Sequence, residues 1–301
     1  MPSFSDTLSH VIGALFASLR PKQWSKNLLV FAGLVFSLNL FNLSDLLRTL
    51  GGFVAFCLLA GGVYLVNDLA DVERDRLHPL KRLRPIASGR LGTGTARVAA
   101  VVVAAIGLAG SFALDWRFGL VGAAYYLLEL AYSFRLKHLV VLDVMTVAAG
   151  FALRAVAGTV LVHVTISSWL FVCTILFALF ISLAKRRHEL VTLVNGGAGH
   201  RTVLENYSET LLDQMMAVAT SSSVIAYCLY TIAPETIAKF GTHSLMLTVP
   251  FVLYGVYRYL YLVYRKEMGG APEQVLLGDF PLLLDVLLWM AGVVAIIYLK
   301  I

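Results

Sequence analysis

The sequence predicts an all-α, polytopic integral membrane protein with nine transmembrane helices. Of its 301 residues 59% are hydrophobic, only 14% are charged, and the mean hydropathy is +0.80. Apolar runs of about 17–25 residues, the length that crosses the hydrocarbon core, recur along the chain. Short polar joints separate them, so a soluble fold would lack a polar surface. The predicted spans are residues 27–43, 49–66, 97–114, 117–133, 140–162, 167–184, 211–231, 243–263 and 282–299.

The distribution of Lys and Arg predicts the orientation of these spans. The amino-terminal segment and the loops after spans two, four, six and eight hold 19 of the 24 cations, whereas the opposite side holds four. Positively charged loops stay in the cytoplasm, so we expect a cytoplasmic amino terminus, preceded by no cleavable leader. The net charge of +6 follows from these loops and indicates no nucleic-acid partner.

The chain is interpreted as a single membrane domain, residues 1–301. Residues 67–96 and 185–210 are predicted to be cytoplasmic loops that form the mouth of a site. The segment before residue 27 is expected to be an amphipathic lead-in to the first span.

An aspartate-rich run, NDLADVERDRLHPLKRLRP at residues 67–85, follows the second span. If the span continues as a helix, four oxygen-bearing side chains fall within about 100° of one another. They are Asn67, Asp68, Asp71 and Asp75. Carboxylates at the carboxyl end of a helix repel one another and the helix dipole, so a positive partner is expected. The three aspartates are therefore candidate catalytic residues.

Two kinds of partner are open for this run. One is salt bridging to Arg74, Arg76 and Lys81, which stabilises exposed groups only weakly. The other is Mg²⁺, which prefers oxygen ligands and commonly shares one or two carboxylates with substrate phosphates. We prefer Mg²⁺, with the three aspartates and Asn67 as ligands, directly or through water, because they occupy every inward position of that helix face.

The continuation of the run supplies cations without carboxylates. Pro79 and Pro85 restrict the backbone, so Lys81, Arg82 and Arg84 are predicted to lie in a shaped loop. Guanidinium groups pair with phosphate oxygens through two parallel hydrogen bonds. A metal with several fixed cations suits a pyrophosphate leaving group, so these cations are candidate substrate-binding residues.

Two further polar groups at cytoplasmic span ends have a functional and a structural interpretation. Lys22 and Lys26, one helical turn apart, either bind a lipid phosphate or anchor the interface by snorkelling. Tyr132, Arg135 and Lys137 either contact a sugar phosphate or only set the topology.

The remaining candidates lie in spans five and six. Lys185, Arg186 and Glu189 end span six; they either bind phosphate or form a surface ion pair, with Lys185 and Glu189 at i and i+4. Arg154 lies inside span five, three turns after Asp143 on the same face. Ionisable groups within spans usually face a cavity or a partner, so Arg154 is a candidate substrate contact.

The nine spans and the NDxxDxxxD run resemble the UbiA superfamily of intramembrane prenyltransferases. That superfamily usually carries a second aspartate-rich motif after span six, where this chain reads LAKRRHEL. The strings QWSKN, DRLHPLKRLRPIASG, YSFRLKH and LAKRRHEL are similar to one branch, the decaprenyl-phosphate phosphoribosyltransferases. The loss of the second carboxylate set favours this branch, because a basic site would hold phosphate directly.

The resemblance implies a Mg²⁺-dependent enzyme of the plasma membrane whose site faces the cytoplasm. It would transfer the phosphoribosyl group of phosphoribosyl pyrophosphate to a polyprenyl phosphate, release pyrophosphate and so supply decaprenylphosphoryl arabinose for cell-wall arabinan. The alternative is a prenyltransferase acting from a prenyl pyrophosphate on an aromatic acceptor. A transporter for anionic lipids is disfavoured because the external loops hold only four cations. Whether the chain forms a homo-oligomer stays open.

Overall fold

The computed structural model describes residues 4–165, 167–194 and 202–300, and all regular structure within these ranges is helical. The α-helices are α1 Phe4–Ser18, α2 Phe31–Phe36, α3 Leu43–Ala70, α4 Val72–Leu77, α5 Thr93–Leu114, α6 Trp116–Phe134, α7 Leu142–Leu161, α8 Ser168–Val194, α9 Glu209–Ile232, α10 Pro234–Phe240, α11 Val249–Arg265, α12 Pro272–Gly278 and α13 Phe280–Leu299. Short 3₁₀ helices cover Pro21–Val30, Lys81–Leu83, Leu136–His138, Thr202–Asn206 and Ser244–Thr248.

The described residues contain seven helical segments long and apolar enough to cross a membrane, so the protein is an integral membrane protein. They are Leu43–Ala70, Thr93–Leu114, Leu142–Leu161, Ser168–Thr192, Glu209–Ile232, Ser244–Arg265 and Phe280–Leu299. Helix α6 coincides with the predicted span 117–133. Its three tyrosines, one arginine and one glutamate lower its hydropathy, so nine spans are not confirmed.

The first predicted span, residues 27–43, is wrong as a continuous helix. The chain instead follows the 3₁₀ helix Pro21–Val30 and the six-residue α2. Leu38 then takes a positive φ of 67°, and the side chain of Asn42 caps α3 by accepting hydrogen bonds from the amides of Ser44 and Asp45. The mean hydropathy of a window does not detect a helix cap, so it does not show that one helix ends and another begins within these residues.

The segments predicted as cytoplasmic loops are partly helical. Residues 67–70 end α3, residues 72–77 form α4, and residues 185–194 continue α8 by nearly three turns beyond the predicted span. Residues 195–201 of the second segment lie outside the described residues. The polar ends of these helices therefore present side chains at fixed helical spacings.

The chain divides into two compact units. The first holds α1–α6 with Leu153–Val164, and its apolar core includes Phe56, Phe118 and Tyr125. Helix α3 packs on α5, α6 and the 3₁₀ helix Pro21–Val30. Gly33 and Gly158 let two backbones touch in this unit, because a Cβ at Gly158 would collide with the Val30 carbonyl.

The second unit holds α8–α13 with Val147–Ala152 of α7. Helix α8 packs on α9, and α11 packs on α9 and α13. Phe180 and Tyr259 meet edge to face in its interior, with ring centroids 5.2 Å apart. Arg258 forms two hydrogen bonds with Asp279, the residue that caps α13, and so joins α11 to the start of the last helix.

Candidate functional site

The aspartate-rich run lies at the joint between α3 and α4. Asp71 ends α3 and starts α4, yet the amide of Asp71 still bonds the Asn67 carbonyl and the amide of Asp75 bonds the Asp71 carbonyl, both in helical i to i−4 register. The side chains of Asp68 and Asp75 are only 2% and 5% exposed, and that of Asp71 is 23% exposed. Asn67 is half-buried beside them. We call Asp68, Asp71 and Asp75 the aspartate cluster.

Cations from three separate places in the first unit pair with the aspartate cluster. One guanidinium nitrogen of Arg84, Nη1, donates to Asp68 Oδ1 at 3.0 Å and to Asp75 Oδ2 at 2.6 Å. Arg20 Nη2 donates to Asp68 Oδ1 at 2.5 Å. Lys137 Nζ lies 3.3 Å and 3.2 Å from the two oxygens of Asp71. The cluster is thus a site where carboxylates and cations alternate.

These partners correct the local salt-bridge interpretation. Arg76 pairs with Glu73 on the outer side of α4, and Arg74 is exposed. The aspartate cluster faces the interior of the fold. It therefore contacts side chains from other segments of the chain, and not those on the outer faces of α4.

The donor set of the aspartate cluster suits a hard divalent cation only in part. Asp68 and Asp75 converge on a single nitrogen of Arg84, and their oxygens are the ligand type that Mg²⁺ prefers. Asp71 points to Lys137 instead, and the described residues contain no group of three or more His, Cys, Asp or Glu side chains arranged for a metal. The arrangement fits a Mg²⁺ ion held by two carboxylates and completed by substrate phosphates.

The loop after α4 is shaped by His78. Its Nδ1 accepts hydrogen bonds from the amides of Leu80 at 3.2 Å and Lys81 at 3.3 Å. This turn leads through the 3₁₀ helix Lys81–Leu83 to Arg84. Arg82 is exposed, whereas Arg84 pairs with the aspartate cluster.

Acidification is expected to loosen this loop. Burial, together with the nearby Lys81 cation, lowers the pKa of His78 below its ordinary value of 6.5. Between the lowered folded value and about 6.5 the unfolded loop binds more protons, so the turn loses stability as the pH falls through that window and is unaffected above it. In NMR of ¹⁵N-histidine-labelled protein, His78 should titrate at lower pH than in a peptide of residues 74–84; an equal or higher midpoint would contradict this.

A second polar group lies inside the first unit and is centred on Arg154. This side chain is 4% exposed, and its Nε donates to Asn27 Oδ1 at 2.8 Å while Nη2 donates to the Tyr125 hydroxyl at 2.7 Å. Its guanidinium also covers the Tyr125 ring at 4.6 Å. The Tyr125 hydroxyl hydrogen-bonds Glu129, which interacts with both Arg154 and Lys26. We call Lys26, Asn27, Tyr125, Glu129 and Arg154 the Arg154 network.

Sequence reasoning found Arg154 but missed the carboxylate beside it. Glu129 lies within a predicted span, and the rule that an ionisable group in a span has a partner applies to it as well as to Asp143 and Arg154. Asp143 is fully buried near the start of α7. Arg20 was counted only as a topology cation, although its positive φ of 53° and its contact with the Tyr64 ring at 4.8 Å mark it as fixed in place.

The amino-terminal lysines do not share a face. They lie in the 3₁₀ helix Pro21–Val30, where residues three apart, not four, are aligned. Lys22 is exposed, whereas Lys26 belongs to the Arg154 network. At the end of α6, Arg135 is exposed and Tyr132 is half-buried, whereas the nearby Lys137 contacts the aspartate cluster.

The basic run of α8 belongs to the second unit. Arg186 is buried and its Nη1 donates to Glu189 Oε2 at 2.6 Å, so Glu189 pairs with Arg186 at i and i+3. Arg187 donates to Asp213 at 2.7 Å and covers the Tyr264 ring, which ties α8 to α9 and α11. Lys185 is half-buried.

Comparison with solved structures shows the fold. A UbiA homolog from Archaeoglobus fulgidus bound to GPP and Mg²⁺ matches with a TM-score of 0.72 at 18% sequence identity, covering 94% of this chain and 99% of that chain. Digeranylgeranylglyceryl phosphate synthase matches with a TM-score of 0.67 at 15% identity, covering 96% of this chain and 99% of that chain.

Comparison of sequences gives nearer relatives. Decaprenyl-phosphate phosphoribosyltransferase from Mycobacterium tuberculosis is 35% identical over 289 residues, which cover 95% of this chain and 94% of the relative. The protein of that name from Corynebacterium glutamicum is 36% identical over 290 residues, covering 95% and 87%. The pattern of the UbiA prenyltransferase family matches residues 27–280. With this match over most of its length, the chain belongs to the UbiA prenyltransferase family.

Proposed function

We propose that this protein transfers the 5-phosphoribosyl group of phosphoribosyl pyrophosphate to a polyprenyl phosphate, and releases pyrophosphate. The observation that carries the proposal is the 35% identity, over nearly the whole of both chains, to a protein named decaprenyl-phosphate phosphoribosyltransferase. The product would feed the formation of decaprenylphosphoryl arabinose for cell-wall arabinan. The alternation of carboxylates and cations in the aspartate cluster supports this chemistry, because both substrates are anionic.

The aspartate cluster is proposed to receive the pyrophosphate. Asp68 and Asp75 would hold Mg²⁺, which, when bound, neutralises charge that builds on the leaving group. Arg20, Arg84 and Lys137 already lie within hydrogen-bonding distance of the carboxylates. Guanidinium and ammonium groups beside the leaving group stabilise the negative charge that develops on it.

The proposed reaction is a displacement at ribose C1. A phosphate oxygen of the lipid forms the new bond to C1, the bond from C1 to pyrophosphate breaks, and the electron pair leaves with pyrophosphate. The attacking oxygen is already ionised near neutral pH, so no strong base is required and the protein mainly fixes the two reactants in line. We expect inversion at C1.

The other anionic groups are assigned to the remaining cations. Lys22 and Lys26 are proposed to bind the lipid phosphate, and Lys26 is electrostatically coupled to Glu129. Lys81 and Arg82, and Tyr132 with Arg135, are proposed contacts of the sugar phosphate. Lys185 and Arg186, with Glu189 holding the latter, are proposed to bind phosphate as well. The excess of cations in alternate loops supports a plasma-membrane protein whose site faces the cytoplasm.

A radiolabel assay tests the proposed transfer. Membranes carrying the protein should convert labelled phosphoribosyl pyrophosphate and decaprenyl phosphate into an organic-soluble labelled product, and release pyrophosphate in proportion. If no such product forms, while a prenyl pyrophosphate and an aromatic acceptor are consumed, the protein is a prenyltransferase and the proposal is wrong.

Asp71→Ala is expected to reduce pyrophosphate release by about 100-fold while the protein stays folded, because Lys137, a proposed contact of the pyrophosphate, loses the carboxylate that positions it. Asp71 is partly exposed, and Lys137 can reach water when its partner is removed. Pyrophosphate release and thermal unfolding in detergent should be measured together. Glu73→Ala is the matched control, since Glu73 pairs only with Arg76 on the surface; equal losses in both variants would contradict the assignment.

A further inference from the structure

A groove of about 380 Å³ opens between α11 and α13 in the second unit, and none of its lining residues belongs to the aspartate cluster or the Arg154 network. Pro250, Phe251, Leu284 and Leu288 give it apolar walls. The two helices run antiparallel, because Arg258 contacts Asp279 at one end of the pair and Gly292 lies against Thr248 at the other. Both belong to segments apolar enough to cross the membrane.

One carboxylate lies in this apolar groove. Asp285 is 7% exposed, and it forms no hydrogen bond or ion pair with any other residue in the parts of the chain that the structure describes. Its Oδ2 is so close to α11 that a Cβ built at Gly255 would lie 2.9 Å from it. Asp279, six residues earlier, is by contrast held by both Arg258 and the amide of Leu282.

An unpaired carboxylate inside a membrane span is costly, and such groups normally face a partner. The partner that complements it is a hydrogen-bond donor with positive charge, joined to an apolar body that fills the groove. Asp285 follows Asp279 by six residues, which at 1.5 Å per residue places it about 9 Å further along the axis of α13. At that distance from the start of the helix, its side chain is within reach of the headgroup region. Tyr254 also lines the groove, and tyrosines are typical of this depth.

The buried carboxylate favours a lipid with a cationic headgroup over another apolar helix. The occupant has to bring a positively charged hydrogen-bond donor to Asp285 and apolar groups to the walls of the groove. A flexible acyl chain joined to an ammonium headgroup supplies both. We propose that the groove between α11 and α13 binds a phospholipid with an amine headgroup, whose ammonium pairs with Asp285.

Native mass spectrometry of the whole protein from nanodiscs tests this proposal. Nanodiscs would contain equal amounts of phosphatidylethanolamine, phosphatidylcholine and phosphatidylglycerol. The wild type should retain phosphatidylethanolamine preferentially, and Asp285→Asn should lower that preference about tenfold, the size of one strong interhelical polar contact in a membrane. Gly255→Ala, which displaces the carboxylate, should lower it in the same direction.

Two variants complete the test. Leu284→Trp, which fills the groove, should remove the bound lipid whatever its headgroup, and Asp279→Asn should leave the headgroup preference unchanged because Asp279 is already paired. Equal retention of the three lipids by the wild type would overturn the proposal. So would a groove covered by a second copy of the chain, seen as a dimer that carries no lipid and that Leu284→Trp dissociates.

Discussion

Arg84→Ala is expected to destabilise the protein by about 3 kcal/mol and to reduce phosphoribosyl transfer by at least about 100-fold. One nitrogen of Arg84 serves two nearly buried carboxylates, so its removal leaves Asp75 without this cation and Asp68 with Arg20 alone. Unfolding by heat in detergent and the radiolabel assay measure the two effects separately. The stability loss is placed at the lower end of the range for buried pairs because Arg84 is itself partly exposed.

The effect of Mg²⁺ on the unfolding temperature of this variant tests for a metal site directly. Without Arg84, fewer cations compete for Asp68 and Asp75, so Mg²⁺ should raise the unfolding temperature of Arg84→Ala more than that of the wild type. Arg76→Ala removes an exposed guanidinium of the same region that bonds Glu73 and the Ala87 carbonyl, and it serves as the control for general charge effects. A Mg²⁺ response that is no larger in Arg84→Ala than in Arg76→Ala would argue against a metal at Asp68 and Asp75.

Arg154→Met is the second substitution for which a large loss is expected, of about 3–5 kcal/mol in the free energy of unfolding. Methionine replaces the length of the side chain but leaves Asn27 Oδ1 and the Tyr125 hydroxyl without their donor, and removes a cation beside Glu129. Arg117→Met is the matched control, because Arg117 is exposed at the start of α6 and should change stability by less than about 0.5 kcal/mol.

A double-mutant cycle separates the network from simple packing. Glu129→Gln removes the charge that Arg154 balances, so Arg154→Met should cost less in that background, with a coupling free energy of about 1–3 kcal/mol. Additive losses would mean that Arg154 stabilises the fold independently of Glu129. The same variants should weaken binding of the polyprenyl phosphate, seen as a raised KM, because Glu129 also interacts with Lys26.

Much of this architecture follows from the sequence because hydropathy and helix length are local properties. Eight of the nine predicted spans coincide with α3, α5, α6, α7, α8, α9, α11 and α13, with α11 preceded by a 3₁₀ turn. The failure at residues 27–43 has a local cause too. Asn42 caps α3 and Leu38 turns the chain, and neither event changes the mean hydropathy of the window.

The partners of the charged groups could not be predicted in the same way. The helical spacing of Asp68 and Asp75 correctly placed them on one face, but Arg20 and Lys137 come from positions 48 and 66 residues away in the sequence. Spacing along one helix contains no information on which distant side chain meets that face. The pairing of Glu189 with Arg186 is a similar case, because side chains three and four residues apart can both meet on a helix.

The contact between Gly33 and Gly158 has a consequence for mutational tolerance. A methyl group at either position would meet backbone atoms, which cannot rotate away as a side chain can. It would therefore shift the path of the 3₁₀ helix that carries Lys26 and Asn27. Gly33 and Gly158 have no functional group, yet they are expected to tolerate substitution as poorly as the charged residues. Alanine at either position should therefore reduce activity as strongly as loss of a charged residue does.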